Sequence, residues 1–203
     1  MMTEDLSPAH AAANQNESTA PSPRVQRRRE RTRQKIIQSS ADLFSRFGYD
    51  QVRFEDIAEA ADVARGTLYS FYKNKEALIN EMLQSVYEKA MRGLDRVKHM
   101  EPRKSVEELL NVYCDLYESD PHGLMVAFHL PRPPGPAEQL YERFSERMRS
   151  IFERAGNLLR SRDPEVTTRL FSRSSVPSLA ALAESTEDFR RQFVEHFKSL
   201  LLR

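Results

Sequence analysis

The sequence predicts an all-α protein. Apolar residues recur at three- and four-residue spacing from about residue 29 to the end of its 203 residues, and no segment shows convincing period-two alternation. The breaks between these stripes carry helix-stopping or helix-starting residues such as Gly48, Asn74, Asp120-Pro121 and Asp163-Pro164.

In chain order, residues 1–23 are rich in Ala, Ser, Asn, Gln and Pro and hold almost no large apolar side chains, so a disordered tail is expected over about residues 1–26. A helix then starts near Arg29 and carries Ile36, Ser40, Leu43, Phe44 and Phe47 on one face, until Gly48 stops it. Phe54, Ile57, Ala58 and Ala61 form a shorter stripe, Asp62-Val63 makes a break, and a third short helix fits Arg65 to Tyr72. Asn74 is placed to cap a fourth helix bearing Leu78, Met82, Val86, Ala90, Leu94 and Val97. Ser105-Val106-Glu107-Glu108 has capping-box spacing and opens a helix that Asp120-Pro121 ends, after which a short helix covers Gly123 to Leu130.

The run Pro131-Arg132-Pro133-Pro134-Gly135-Pro136 predicts a stiff loop. Leu140, Phe144, Met148, Ile151, Phe152, Ala155 and Leu159 mark the next amphipathic helix. Asp163-Pro164 starts another, which Pro177 is expected to kink or break, and the last begins near Thr186 with Phe189, Phe193, Phe197, Leu200 and Leu201.

Composition narrows the function classes. Cys114 is the single cysteine, so no intrachain disulfide exists and a buried thiol in a cytoplasmic protein is the expectation. Residues 1–23 contain neither Lys nor Arg nor a sustained apolar run, and no stretch has the length of a membrane span, so no membrane partner is expected. The net charge is only +1, but Arg24, Arg27, Arg28, Arg29, Arg31, Arg33 and Lys35 cluster against the single acid Glu30, leaving the rest of the chain net acidic. Such local basic charge suits a nucleic-acid arm, and equally a solvated helix start.

The two short helices after that arm have helix-turn-helix proportions, about residues 54–73. Leu68 and Tyr72 lie one turn apart and are placed to pack inward, which leaves Arg65, Thr67, Tyr69, Ser70 and Lys73 facing outward as donors for bases and phosphates, while Gly66 permits close backbone approach to DNA.

From about Arg31 to Met82 these residues resemble the TetR family of bacterial regulators. The resemblance rests on Ile36-Ile37, Leu43-Phe44, Phe47-Gly48-Tyr49, Asp56-Ile57-Ala58, Val63, Gly66-Thr67-Leu68-Tyr69 and Lys75-Glu76-Ala77-Leu78. It implies a three-helix DNA-binding domain over residues 27–82 and a larger helical ligand-binding and dimerisation domain over residues 83–203. It places Arg65, Gly66, Thr67, Tyr69, Ser70 and Phe71 at the DNA surface, with Lys75 on a phosphate; Lys73, Arg31 and Arg33 complete the expected DNA-binding set. Arg53 departs from the family's usual capping Ser or Thr, Asp62 from its usual Gly, and Ala64 from a frequent Ser.

The implied function is that of a sequence-specific transcriptional regulator, a repressor released from a palindromic double-stranded operator by a small-molecule effector. The implied partners are the operator, a second copy of the chain and that effector. No metal or cofactor is expected. The dimer is expected to join through the last two helices, roughly 164–183 and 187–202, with the Phe189–Leu201 stripe as its surface and Arg190, Arg191, Glu195 and Lys198 at its rim.

Beyond residue 83 no specific motif stands out. Tyr113, Cys114, Tyr117, Met125, Phe128 and His129 are aromatic or polarizable, and each reads as core rather than as a ligand contact. An enzyme would draw on Cys114, His122 and His129, but seven helical residues separate the two histidines by roughly 10 Å, too far to hold one ion. A helical module binding acidic surfaces explains the arm and leaves the helix-turn-helix unexplained.

Overall fold

Proline sets where five of the helices begin. It occupies the opening turn of α1 (Pro23–Phe47), α5 (Pro102–Ser119), α6 (Pro121–His129), α7 (Pro136–Ala155) and α8 (Pro164–Ser185), where its missing N–H has no intrahelical partner to lose. The other helices are α2 (Phe54–Ala60), α3 (Arg65–Phe71), α4 (Lys75–Val97) and α9 (Phe189–Leu201). The computed structural model describes residues 22–130 and 133–203, and these nine helices with one 3-10 turn make up the regular structure of the described residues beyond one isolated bridge.

Carboxylate and amide caps finish the starts. Asn74 Oδ1 accepts from Ala77 N–H at 2.8 Å, Asp120 Oδ1 from Gly123 N–H at 2.9 Å and Asp163 Oδ1 from Glu165 N–H at 2.9 Å. Most expected boundaries hold to within a few residues, and the departures have local causes.

The tail expected over residues 1–26 lies outside the described residues as far as 21, and residues 23–26 are already helix. Pro23 supplies a preset φ, and the arginines that follow are good helix formers. Helix α5 opens three residues before Ser105, capped by the Glu101 carboxylate, and Ser105 is instead buried with its hydroxyl donating to Glu101 O at 3.1 Å. Pro131 and Arg132 fall outside the described residues; Pro133 to Gly135 are non-helical as expected, and Pro136 starts α7 rather than belonging to the loop.

Leu159 is not on α7. Gly156 ends that helix, and Leu159 pairs antiparallel with Leu202, with Arg160 N–H donating to Leu201 O at 2.9 Å and Arg203 N–H to Leu158 O at 3.0 Å. Pro177 does not break α8, which runs on to Ser185; the proline removes only the N–H that Arg173 O would accept. The last helix starts at Phe189, after Asp188, three residues later than expected.

The molecule is organised around α4, which packs on α5, α6 and α7 and passes without interruption from the helix-turn-helix region into the larger helical region. Gly93 lets α5 come close, since a Cβ there would stand 2.7 Å from Val112 Cγ2. Helix α1 rests on α2 and α6. At the far end, Phe171 of α8 sits among Tyr113, Phe152 and Phe197 at centroid distances of 4.9, 5.7 and 5.5 Å. These edge-on rings fill the space between α5, α7, α8 and α9. Asn80 ties the start of α7 to the first turns of α4, accepting from Ala137 N–H at 3.1 Å.

The C-terminal stripe corrects an expectation. Phe193 and Phe197 are buried inside their own chain, 4.6 Å apart, and Phe189 packs on Tyr117 at 5.9 Å. Three of the four supposed rim charges are spent internally as well. Arg190 bonds Asp115 at 2.7 Å and Glu118 at 2.8 Å, Arg191 pairs with Asp188, and Lys198 reaches Glu107 at 3.0 Å. An amphipathic stripe reports that one face is covered and does not say by which chain.

Candidate nucleic-acid interface

Helix α3 is short, and its neighbours hold it in place. Leu68 is fully buried, and Tyr72 is buried with its hydroxyl donating to Glu81 Oε1 at 3.2 Å. Burial beside that carboxylate drives the Tyr72 phenol pKa well above its ordinary value. Behind α3, α2 starts at Phe54 with Asp56 accepting from Arg53 N–H at 2.9 Å, and the Arg53 guanidinium folds back onto the same carboxylate at 2.6 Å. Arginine thus occupies the cap position without offering an acceptor, and Asp56 does the capping. Asp62 adopts the left-handed conformation, φ 52°, that lets the chain turn from α2 into α3.

The face of α3 turned away from that support presents Arg65, Gly66, Tyr69 and Ser70 to solvent, with Thr67 and Phe71 half-buried at its borders and Lys73 exposed just beyond. Tyr69 is 51% exposed, unusual for a large aromatic. Its ring stands edge-on to Phe54 at 5.1 Å and its hydroxyl donates to Glu55 Oε1 at 3.1 Å, so it projects in a fixed direction. That bond to Glu55 raises the Tyr69 pKa, keeping the phenol a neutral donor. Ser70 Oγ donates to Thr67 O at 2.7 Å and remains exposed. A Cβ built on Gly66 meets nothing within 4 Å, so the surface there is open.

Two of the ten expected residues make contacts within the chain. Lys75 Nζ donates to Tyr49 O at 2.6 Å and Val52 O at 2.8 Å and lies 4.2 Å from the Tyr49 ring centroid. Two of its three donors therefore hold the α1–α2 turn against the start of α4. Arg33 is bound to Glu81 through Nε at 2.7 Å and through a second nitrogen, and to Glu30 at 3.1 Å, so it joins α1 to α4. Arg31 remains exposed. Sequence spacing gave no sign of Glu81, which organises Arg33 and Tyr72 together from 48 and 9 residues away.

Residues 36–82 match the sequence profile of the bacterial regulatory proteins of the tetR family. The N-terminal domain belongs to the tetR family. Relatives of the chain include an HTH-type transcriptional regulator, YhgD, of Bacillus subtilis (strain 168), 32% identical over 82 residues that cover 40% of this chain and 41% of that protein. The probable acrEF/envCD operon repressor of Escherichia coli (strain K12) is 40% identical over 52 residues, 26% of this chain and 24% of the other. The chain thus matches less than half the length of these relatives.

Solved structures share the fold more widely. The ketosteroid transcriptional regulator KstR2 of Mycobacterium tuberculosis superposes on 84% of this chain and 95% of its own with a TM-score of 0.66 at 13% identity. AibR, crystallised with isovaleryl coenzyme A and operator DNA, covers 84% of this chain and 98% of its own at TM-score 0.58 and 17% identity. At these identities the fold alone is common to this chain and its neighbours.

In the larger region, Tyr113 and Cys114 are core, Tyr117, Met125 and Phe128 are half-buried, and His129 is exposed. Burial pushes the Cys114 thiol up to about 12. His122 Nδ1 faces Asp42 of α1 at 3.9 Å, and His129 Nδ1 lies 2.8 Å from Met125 O. Among the described residues no helix is long and apolar enough to cross a membrane, and no three His, Cys, Asp or Glu side chains gather as a metal site.

Proposed function

We propose that the protein is a sequence-specific regulator of transcription that binds double-stranded DNA in the cytoplasm and performs no catalysis. The observation that carries the reading is the outward face of α3, with Arg65, Gly66, Thr67, Tyr69 and Ser70 on one side of a helix whose other side is locked by Leu68 and Tyr72. Side chains so fixed can enter the major groove and meet base edges, with Phe71, Lys73 and Arg31 at the flanks. Residues 23–82 form the DNA-binding unit, four residues longer than the sequence suggested, and residues 83–203 the regulatory and dimerisation unit. The mode is repression relieved by a small-molecule effector. Supporting this, AibR shares the fold and was crystallised with both a coenzyme A ester and operator DNA.

A helix of this length reads too few base pairs for genomic selectivity, so the protein acts as a homodimer on a palindromic operator. With Phe193 and Phe197 buried in their own chain, the dimer surface is the solvent side of the last two helices. There Leu170 is 60% and Leu200 52% exposed, and Pro177 and Ala181 continue the same face of α8. The test is selection of bound fragments from a genomic library by the purified protein. Recovered fragments should share an inverted repeat with half-sites about one helical turn apart, roughly 34–36 Å, and outcompete random duplex. Recovery of fragments without a common sequence would overturn sequence-specific regulation.

A further inference from the structure

The first nine residues of α1, positions 23–31, are each exposed, a stem about 13 Å long that meets the rest of the chain chiefly where Arg29 lies over Phe71. It contains five arginines and one acid. A helix with no buried face and with like charges three and four residues apart is self-repelling. Its geometry nevertheless sorts those charges. At 100° per residue, Arg24, Arg28, Arg31 and Lys35 fall within an arc of about 60°, while Arg29 and Arg33 point elsewhere.

Contacts confirm the sorting. Arg29 lies 5.1 Å over the Phe71 ring and Arg33 is held by Glu30 and Glu81. Among the described residues, the four stripe cations form no ion pair. Arg28, Arg31 and Lys35, with Thr32, line one wall of an open concavity of about 420 Å³ whose other wall is Asp62, Val63, Ala64 and Thr67. Thr67 belongs to the outward face of α3, and Asp62 is the single acid of the concavity. The stripe and the proposed reading helix therefore share one continuous surface.

We infer that the Arg24–Arg28–Arg31–Lys35 stripe is a DNA-backbone clamp that follows the phosphates flanking the groove entered by α3. This rests on the proposed DNA-binding function. The stripe reads no bases, because its side chains are long cations, which meet phosphates as charge and leave selectivity to α3, while the neighbouring Thr32 hydroxyl is turned back onto Arg28 O. Each phosphate so neutralised releases counterions and adds about 0.9 to the dependence of log affinity on log salt.

The experiment compares Arg28→Ala/Arg31→Ala with Arg27→Ala/Arg29→Ala in the full chain. The two variants lose equal charge, and alanine preserves the helix. Binding to a labelled random-sequence duplex and to a fragment selected by the wild-type protein is titrated with KCl. The first variant should lose roughly 1.8 from the salt slope on both duplexes, and the second less than half as much, with the preference for the selected fragment unchanged in both. Equal losses would show a diffuse charge cloud and overturn the clamp. A wild-type protein that prefers its fragment, with a first variant of unaltered slope, would overturn the clamp alone. A wild-type protein that binds neither duplex would overturn both the clamp and the function on which it rests.

Discussion

Gly66→Ala separates stability from binding by sign. Gly66 is the second residue of α3, is exposed, and has nothing within 4 Å of the position a Cβ would take. The methyl group is therefore sterically free in the unbound protein. Glycine costs about 0.8–1.0 kcal/mol relative to alanine in a helix interior. Near the first turn roughly half of that or more is recovered, so the variant should be about 0.5–1 kcal/mol more stable. For a chain of this size that raises Tm by roughly 1–4 °C.

In the proposed docking the same open surface is occupied by the duplex, and a methyl group there would force the backbone outward. A tenfold loss of affinity corresponds to about 1.4 kcal/mol, and a loss of at least that size is expected on a fragment selected by the wild-type protein. Melting followed by circular dichroism and fluorescence anisotropy on the labelled fragment give the two numbers. Lost stability cannot explain weakened binding in a variant that melts higher. Unchanged affinity would refute the close approach of Gly66 to DNA, and a lower Tm would refute the open surroundings.

Other substitutions follow from the contacts. Lys75→Met removes two charge-assisted bonds to Tyr49 O and Val52 O and should cost roughly 2–4 kcal/mol in denaturant melts while leaving the salt slope of DNA binding unchanged; a slope reduced by about 0.9 would return Lys75 to a phosphate. Phe193→Ala should destabilise by about 3–5 kcal/mol, whereas Leu170→Asp/Leu200→Asp should stay folded and sediment as a monomer; a dimeric double variant would put the dimer surface elsewhere. Cys114, fully buried with its thiol pushed up to about 12, should resist alkylation at pH 8 until the chain is unfolded, and rapid labelling of native protein would contradict that burial. Because the unfolded thiol ionises near pH 9 and the folded one does not, Cys114 should also make stability fall as pH rises from about 9 towards 12, a loss that Cys114→Ala lacks.

The helical plan was legible because its punctuation is local. Asn74, Asp120-Pro121 and Asp163-Pro164 act within a turn of themselves, and they stand where the spacing put them. Capping chemistry misled where two starts competed: Glu101-Pro102 opens α5 ahead of Ser105, because proline at the first position and a carboxylate on two backbone N–H groups outweigh a serine. The outward set on α3 was readable from period alone. The employment of Lys75 and Arg33 was not, since their partners at Tyr49, Val52 and Glu81 are distant in sequence. The covering of the Phe193–Phe197 stripe depended in the same way on where α5 and α8 lie.

Helix α4 has a mechanical consequence of its own. It is one rod of 23 residues, about 34 Å long, with Lys75 gripping the α1–α2 turn at its first residue and Val97 sunk in the opposite core. A rod of that length works as a lever: tilting it by about 5° around one end swings the other by roughly 3 Å. Two α3 helices held by paired copies of such levers would change their separation by up to twice that displacement, about 6 Å, or roughly one sixth of the 34–36 Å groove spacing they must match. Helix α7 is fastened along this rod at both ends, by the Ala137–Asn80 hydrogen bond near the grip and by the Arg147–Asp95 ion pair near the core end.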